Sequence, residues 1–86
     1  MKIEFDRLFE KTAGKGDREK AMEIAERILR GDKQGVRKLL GRLGRYHYVR
    51  LDEHRYLVLR IGAGIVKVVA VCRRYSVKYE AMRKKA

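Results

Sequence analysis

Five tyrosines, Tyr46, Tyr48, Tyr56, Tyr75 and Tyr79, all fall among the cations of residues 31–86. That stretch holds fifteen Lys/Arg against four Asp/Glu, a net of +11, whereas residues 1–30 hold eight against seven. Lysine and arginine neutralise phosphates, and aromatic rings stack on bases or position them. A polyanion, nucleic acid above all, is therefore the expected partner. A merely solubilising surface would mix its signs more evenly.

Other chemistries lack their parts. His47 and His54 have no neighbour at metal-ligand spacing, and Cys72 stands alone, which excludes an internal disulfide and a cysteine-based zinc site. Gly62-Ala63-Gly64 joins two strand-like runs instead of opening a helix, so it is no phosphate loop. No metal or cofactor is expected. Arginine, lysine and tyrosine suit one reaction in particular. RNA carries its own nucleophile, the 2′-hydroxyl, which attacks the adjacent phosphate. A catalyst then needs cations for the phosphorane charge and one group to manage protons. Guanidinium forks match phosphate oxygens, and a tyrosine or lysine among arginines can handle the proton.

The elements that must position these groups fit one domain of 86 residues. Lys2-Ile3-Glu4-Phe5 alternates like a short strand, and Leu8, Phe9 and Ala13 have helical spacing up to the break at Gly14-Lys15-Gly16. Asp17 reads as an N-cap, and Ala21, Ile24, Ala25, Ile28 and Leu29 mark an amphipathic helix over residues 17–30, stopped by Gly31. Residues 33–44 predict one or two helical turns and a loop, since Gly35, Gly41 and Gly44 weaken anything longer. Tyr46–Leu51, Arg55–Ile61 and Ile65–Cys72 then read as a three-stranded antiparallel meander. Alternation puts His47, Val49, Leu51, Leu57, Leu59 and Ile61 on one face, against the helices. It puts Tyr46, Tyr48, Arg50, Tyr56, Val58 and Arg60 on the other, expected to stay open. Cys72 falls in an apolar run and is expected to be a small buried hydrophobe. No run approaches the ~20 apolar residues of a membrane span, and the N-terminus lacks the apolar core of a signal peptide, so a cytoplasmic protein without membrane contacts is expected. The abundance of Arg, Lys and Glu matches heat-adapted proteins.

The order strand, two helices, basic meander resembles the RelE/ParE superfamily of toxins from toxin–antitoxin pairs. Lys38-Leu39-Leu40-Gly41 and His47-Tyr48-Val49-Arg50-Leu51 are similar to the family's K-L-x-G segment and Y-[KR]-[IV]-[KR] strand. His54-Arg55-Tyr56-Leu57-Val58 resembles its Y-R-hydrophobic strand start, and Val68–Arg74 with Val77 and Tyr79 its V-V-x-V-G-x-R…V-Y close. The resemblance implies an α+β fold: a short N-terminal strand, two helices and a three-stranded antiparallel meander forming one curled sheet. It also implies a metal-free endoribonuclease that cuts messenger RNA on the ribosome, and a cognate antitoxin. Carried over by position, Arg50 and Arg55 would sit at the scissile phosphate. Arg73 or Arg74 would stabilise the transition state, and Tyr79 would orient or deprotonate the nucleophile. Lys38, Arg42, Arg45, Tyr48, Tyr56 and Lys78 complete the expected RNA-binding set, with ribosomal RNA as a further partner. Tyr48 stands where RelE members often carry lysine, and Arg55 shares its alternation face with Leu57 and Leu59, so reaching the site requires a bulge or a strand-end position.

Two alternatives use the same charge. In a winged-helix DNA-binding protein, a third helix near 33–43 would present Arg37, Lys38, Arg42 and Arg45 to the major groove. In a non-catalytic RelE/ParE relative, the arginines would position ribosomal RNA without cutting it.

Overall fold

The computed structural model describes residues 2–38 and 45–73. Among them are five strands and two helices: β1 (Lys2–Phe5), α1 (Arg7–Thr12), α2 (Asp17–Leu29), β2 (Arg37–Lys38), β3 (Tyr46–Arg50), β4 (Arg55–Gly62) and β5 (Ile65–Arg73). They form one sheet in the order β1-β5-β4-β3-β2. The meander β3-β4-β5 stands as expected, but it is the centre of a mixed sheet. β1 pairs parallel with β5, Ile3 opposite Val66, and β2 adds an antiparallel edge on β3, Arg37 opposite Tyr48. The edge strand replaces helix at residues 37–38. Leu39, Leu40, Gly41, Arg42, Leu43 and Gly44 lie outside the described residues, as do Arg74, Lys78 and Tyr79.

Local sequence explains the helix ends. Asp6 caps α1 by accepting the Leu8 N–H at 2.9 Å. The cap of α2 is Gly16, at φ 82°, where a Cβ would be strained, and not Asp17. Asp17 is the first helical residue, and its carboxylate turns back to accept the Gly14 N–H at 2.6 Å. Gly31, at φ 95°, ends the helix as its position suggested. The apolar stripe of α2 (Ala21, Ile24, Ala25, Ile28) packs with Phe9, Val49, Leu57, Leu59, Val66, Val68 and Val71 in the main core.

The opposite face is not open. Tyr46, Val58, Val69, Ala70 and Cys72 are buried there in a second cluster, with Leu8, Tyr48 and Tyr56 packed against it. Apolar residues outnumber polar ones on that side of β5, so covering it releases water as the helix side does. Register accounts for the composition. Val58 faces Ala70, but Leu59 faces Val68, so Val69 bulges out of the ladder. The bulge puts Val69 and Ala70 in one cluster and returns Val71 to the other. It also leaves Arg73 opposite Arg55, on the helix side.

Thr12 holds the strand just beyond this irregularity. Its Oγ accepts the Val71 N–H at 2.9 Å and donates to the Leu8 carbonyl at 2.8 Å. Thr12→Val keeps the shape but strips the Val71 N–H of that acceptor, a loss of about 1–3 kcal/mol. Chemical denaturation should show that loss, and Thr12→Ser should recover most of it.

Candidate nucleic-acid interface

The tyrosine face presents cations at its margins. Arg50 is exposed at the end of β3, opposite Tyr56 on β4. The half-buried rings of Tyr48 and Tyr56 meet edge to face, with centroids 5.4 Å apart and planes at 83°. Arg37, exposed on β2, sits opposite Tyr48 and therefore on the same face. Two guanidinium groups thus flank a pair of phenols, an arrangement able to grip a backbone phosphate beside aromatic surface. No carboxylate lies within ion-pair distance of Arg37 or Arg50 among the described residues. Sequence reasoning missed Arg37 as a partner of this site because it placed residue 37 on helical turns; only the strand pairing brings it beside Tyr48.

Arg55 has a different position and different company. No bulge lifts it from the helix side, and its guanidinium is engaged by two carboxylates. Nη1 and Nη2 donate to Asp17 at 2.6 and 3.0 Å, and Nε and Nη2 donate to Asp52 at 2.9 and 2.6 Å. Asp17 is only 2 % exposed in its side chain, against 31 % for Arg55. Asp52 also accepts the backbone N–H groups of His54 and Arg55, which shapes the β3–β4 turn. The cluster ties the start of α2 to the strand ends that carry Arg50 and Tyr56. Arg73, exposed and cross-strand from Arg55, also lies on the helix side, away from the paired tyrosines.

The remaining candidates divide by position. Lys38 and Arg45 are exposed near the other end of β3, which spans about 13 Å from Tyr46 to Arg50 at the usual strand rise. Arg60 is exposed there too, its guanidinium 5.9 Å from the Tyr46 ring centroid. Arg42, Arg74, Lys78 and Tyr79 fall outside the described residues.

No protein-family model and no curated protein sequence matches this chain. Solved structures do. YafQ from E. coli aligns with a TM-score of 0.66 at 10 % identity, over 87 % of this chain and 94 % of that one. The toxin YoeB in its complex with YefM from Staphylococcus aureus aligns with a TM-score of 0.66 at 23 % identity, over 85 % and 95 %. A copper-bound mutant toxin from Helicobacter pylori gives 0.68 at 10 % identity, over 90 % and 98 %. The chain therefore shares the fold of these toxins, and the winged-helix alternative is not favoured. The strand at Arg37–Lys38 occupies positions where that alternative requires a recognition helix.

The ion cluster makes stability sensitive to acid. Burial would raise the Asp17 carboxyl, but the Arg55 and Gly14 hydrogen bonds and the charges of Arg55 and Lys20 outweigh it and hold it below its ordinary 3.8. For Asp52 the Arg55 hydrogen bond leads, with the His54 N–H behind it, and lowers the carboxyl from 3.8 to about 2. Both folded values lie below the unfolded ones, so the contribution is complete above the unfolded values and is lost as pH falls through the folded ones. Unfolding free energy should therefore drop as pH falls below 3.8 towards about 2. Asp52→Asn should flatten part of that acid limb. Arg55→Ala, which leaves the Asp17 charge buried and unpaired, should cost about 3 kcal/mol near neutral pH.

Proposed function

We propose that this chain is a RelE-like toxin: a metal-independent endoribonuclease that acts on messenger RNA at the ribosome and is held in check by a small antitoxin protein. The observation that carries the reading is the Arg37–Tyr48–Arg50–Tyr56 patch on a fold shared with the YafQ and YoeB toxins. Those toxins were solved with protein partners, DinJ for YafQ and YefM for YoeB, which supports an antitoxin for this chain.

In the proposed reaction the 2′-hydroxyl loses its proton to a base and its oxygen attacks the neighbouring phosphorus. The P–O5′ bond breaks, and the leaving oxygen takes up a proton. The products are a 2′,3′-cyclic phosphate and a 5′-hydroxyl end. Arg50, joined by Arg37, offsets the charge that grows on the non-bridging oxygens. Tyr48 and Tyr56 present ring surface to the flanking bases. Tyr79 is proposed as the group that orients or deprotonates the nucleophile, and Arg74 as the second transition-state cation. Arg55, spent on Asp17 and Asp52, acts as a positioning residue for the strand ends. Arg42, Arg45, Lys38 and Lys78 contribute charge toward RNA.

Expression from an inducible promoter should arrest growth and release messenger fragments with 5′-hydroxyl ends. Arg50→Ala and Arg74→Ala should each slow cutting by about 10²-fold or more, the scale for losing one transition-state donor. Arg37→Ala should weaken it less, and Arg73→Ala alone should leave most of it. Full toxicity in an Arg73→Ala, Arg74→Ala double variant would overturn the assignment of the cutting residues. Arrest without RNA fragments would instead identify a non-cutting relative.

A further inference from the structure

The sheet ends on one side at β1, which has no strand partner other than β5 among the described residues. The Lys2 N–H donates to the Gly64 carbonyl at 2.7 Å, and the Asp6 N–H donates to the Val68 carbonyl at 2.8 Å. Backbone direction alternates along a strand, so residues 2, 4 and 6 turn their polar groups inward to β5. Ile3 and Phe5 therefore turn their N–H and C=O groups outward, along the edge. Such a row of backbone donors and acceptors is a template for one more strand.

The side chains say which strand fits. Ile3 and Phe5 lie on the helix face, partly buried against the main core. Lys2 and Glu4 lie on the other face, 3.3 Å apart, with 68 % and 38 % of their side chains exposed. Charges that guard an edge against its own copy carry a single sign and repel. Lys2 and Glu4 instead have opposite signs two residues apart, a pattern that complements itself when reversed. Two β1 strands, antiparallel about a two-fold axis at Ile3, bring Lys2 of each copy opposite Glu4 of the other. Ile3 then meets Ile3 of the second copy as a hydrogen-bonded pair, which uses the outward groups. Lys2 and Glu4 fall at the non-hydrogen-bonded positions, where opposed side chains come closest. A slip of one residue would set Ile3 against a charge on the wrong face.

The distribution of charge favours the same approach. Residues 1–30, which supply β1 and both helices, hold eight Lys/Arg against seven Asp/Glu, whereas residues 31–86 carry a net of +11. Two copies of so basic a chain repel least at the near-neutral end. β1 and β2 are opposite edges of the sheet, so pairing through β1 leaves the edge that bears Arg37 untouched.

We propose that a second copy of this chain docks on β1, joining two five-stranded sheets into one through antiparallel β1 strands centred on Ile3. The surface is distinct from the RNA patch, and the inference stands whether or not the chain cuts RNA. A four-residue edge buries little area. The dimer is therefore expected to be weak, with Kd of about 10–100 µM.

The test is sedimentation of the full chain over a concentration series spanning that Kd, at about 0.15 M salt. The apparent mass of the parent should climb from one chain to two. Lys2→Glu sets Glu opposite Glu twice, and Glu4→Lys sets Lys opposite Lys twice. Each should weaken self-association by about tenfold or more, since like charges face each other across the pair. Both positions are on the surface, so the unfolding midpoints should hardly change. An equimolar mixture of the two variants should dimerise as the parent does, because every pair is then Glu opposite Lys. The Lys2→Glu, Glu4→Lys double variant restores the same pairs within one chain, and serves if a single variant does not fold. A parent that stays monomeric at the highest concentration overturns the proposal. So does a dimer that both single variants retain, or a mixture and a double variant that both stay monomeric.

Discussion

One guanidinium joins the helical layer to the β3–β4 turn of the sheet. Arg55 spans from the buried Asp17 at the first turn of α2 to Asp52 in the β3–β4 turn, with four hydrogen bonds to two carboxylates. A carboxylate that is 2 % exposed is tolerable only because this partner is bidentate and the Gly14 N–H fills a further lone pair. The loop before α2, the helix start and the hairpin turn are thereby fixed against one another. Arg50 and Tyr56 stand on the strand ends that this turn connects. The strand ends that carry the proposed RNA patch are thus held by a cluster on the helix side of the sheet.

Arg55 illustrates a general difficulty in reading basic proteins. Its type and its place in a family-like motif both suggest a phosphate ligand, yet alternation already put it on the face of Leu57 and Leu59. The decisive facts are the two acids that reach it, and Asp17 lies 38 residues away in sequence. No local pattern reports such a pairing. The free cations are found by the complementary question, namely which arginines have no carboxylate nearby, and that question needs coordinates.

Much of the architecture was nevertheless legible. The amphipathic helix, the three strands of the meander and the division of Val49, Leu57 and Leu59 from Tyr48, Arg50 and Tyr56 all follow from apolar spacing. What escaped is equally explicable. A two-residue edge strand such as Arg37–Lys38 has no periodicity to detect. A bulge at Val69 leaves no mark in a run of valines, yet it reassigns every later residue of β5 to the other face. The expectation of one open face failed because alternation says which residues share a side and not what comes to lie over it.

The order of strands also has a consequence for how the chain comes into being. β5 lies inside the sheet, between β1 and β4, although it is the last of the described strands to be synthesised. Among the described residues, β1 has no strand partner until more than sixty residues later, when Ile65–Arg73 arrives. Assembly is therefore postponed to a late, long-range closure rather than built up from the amino terminus. A nascent chain halted before that closure would hold β1, α1 and α2 without the Val66, Val68 and Val71 side chains that their apolar residues pack against.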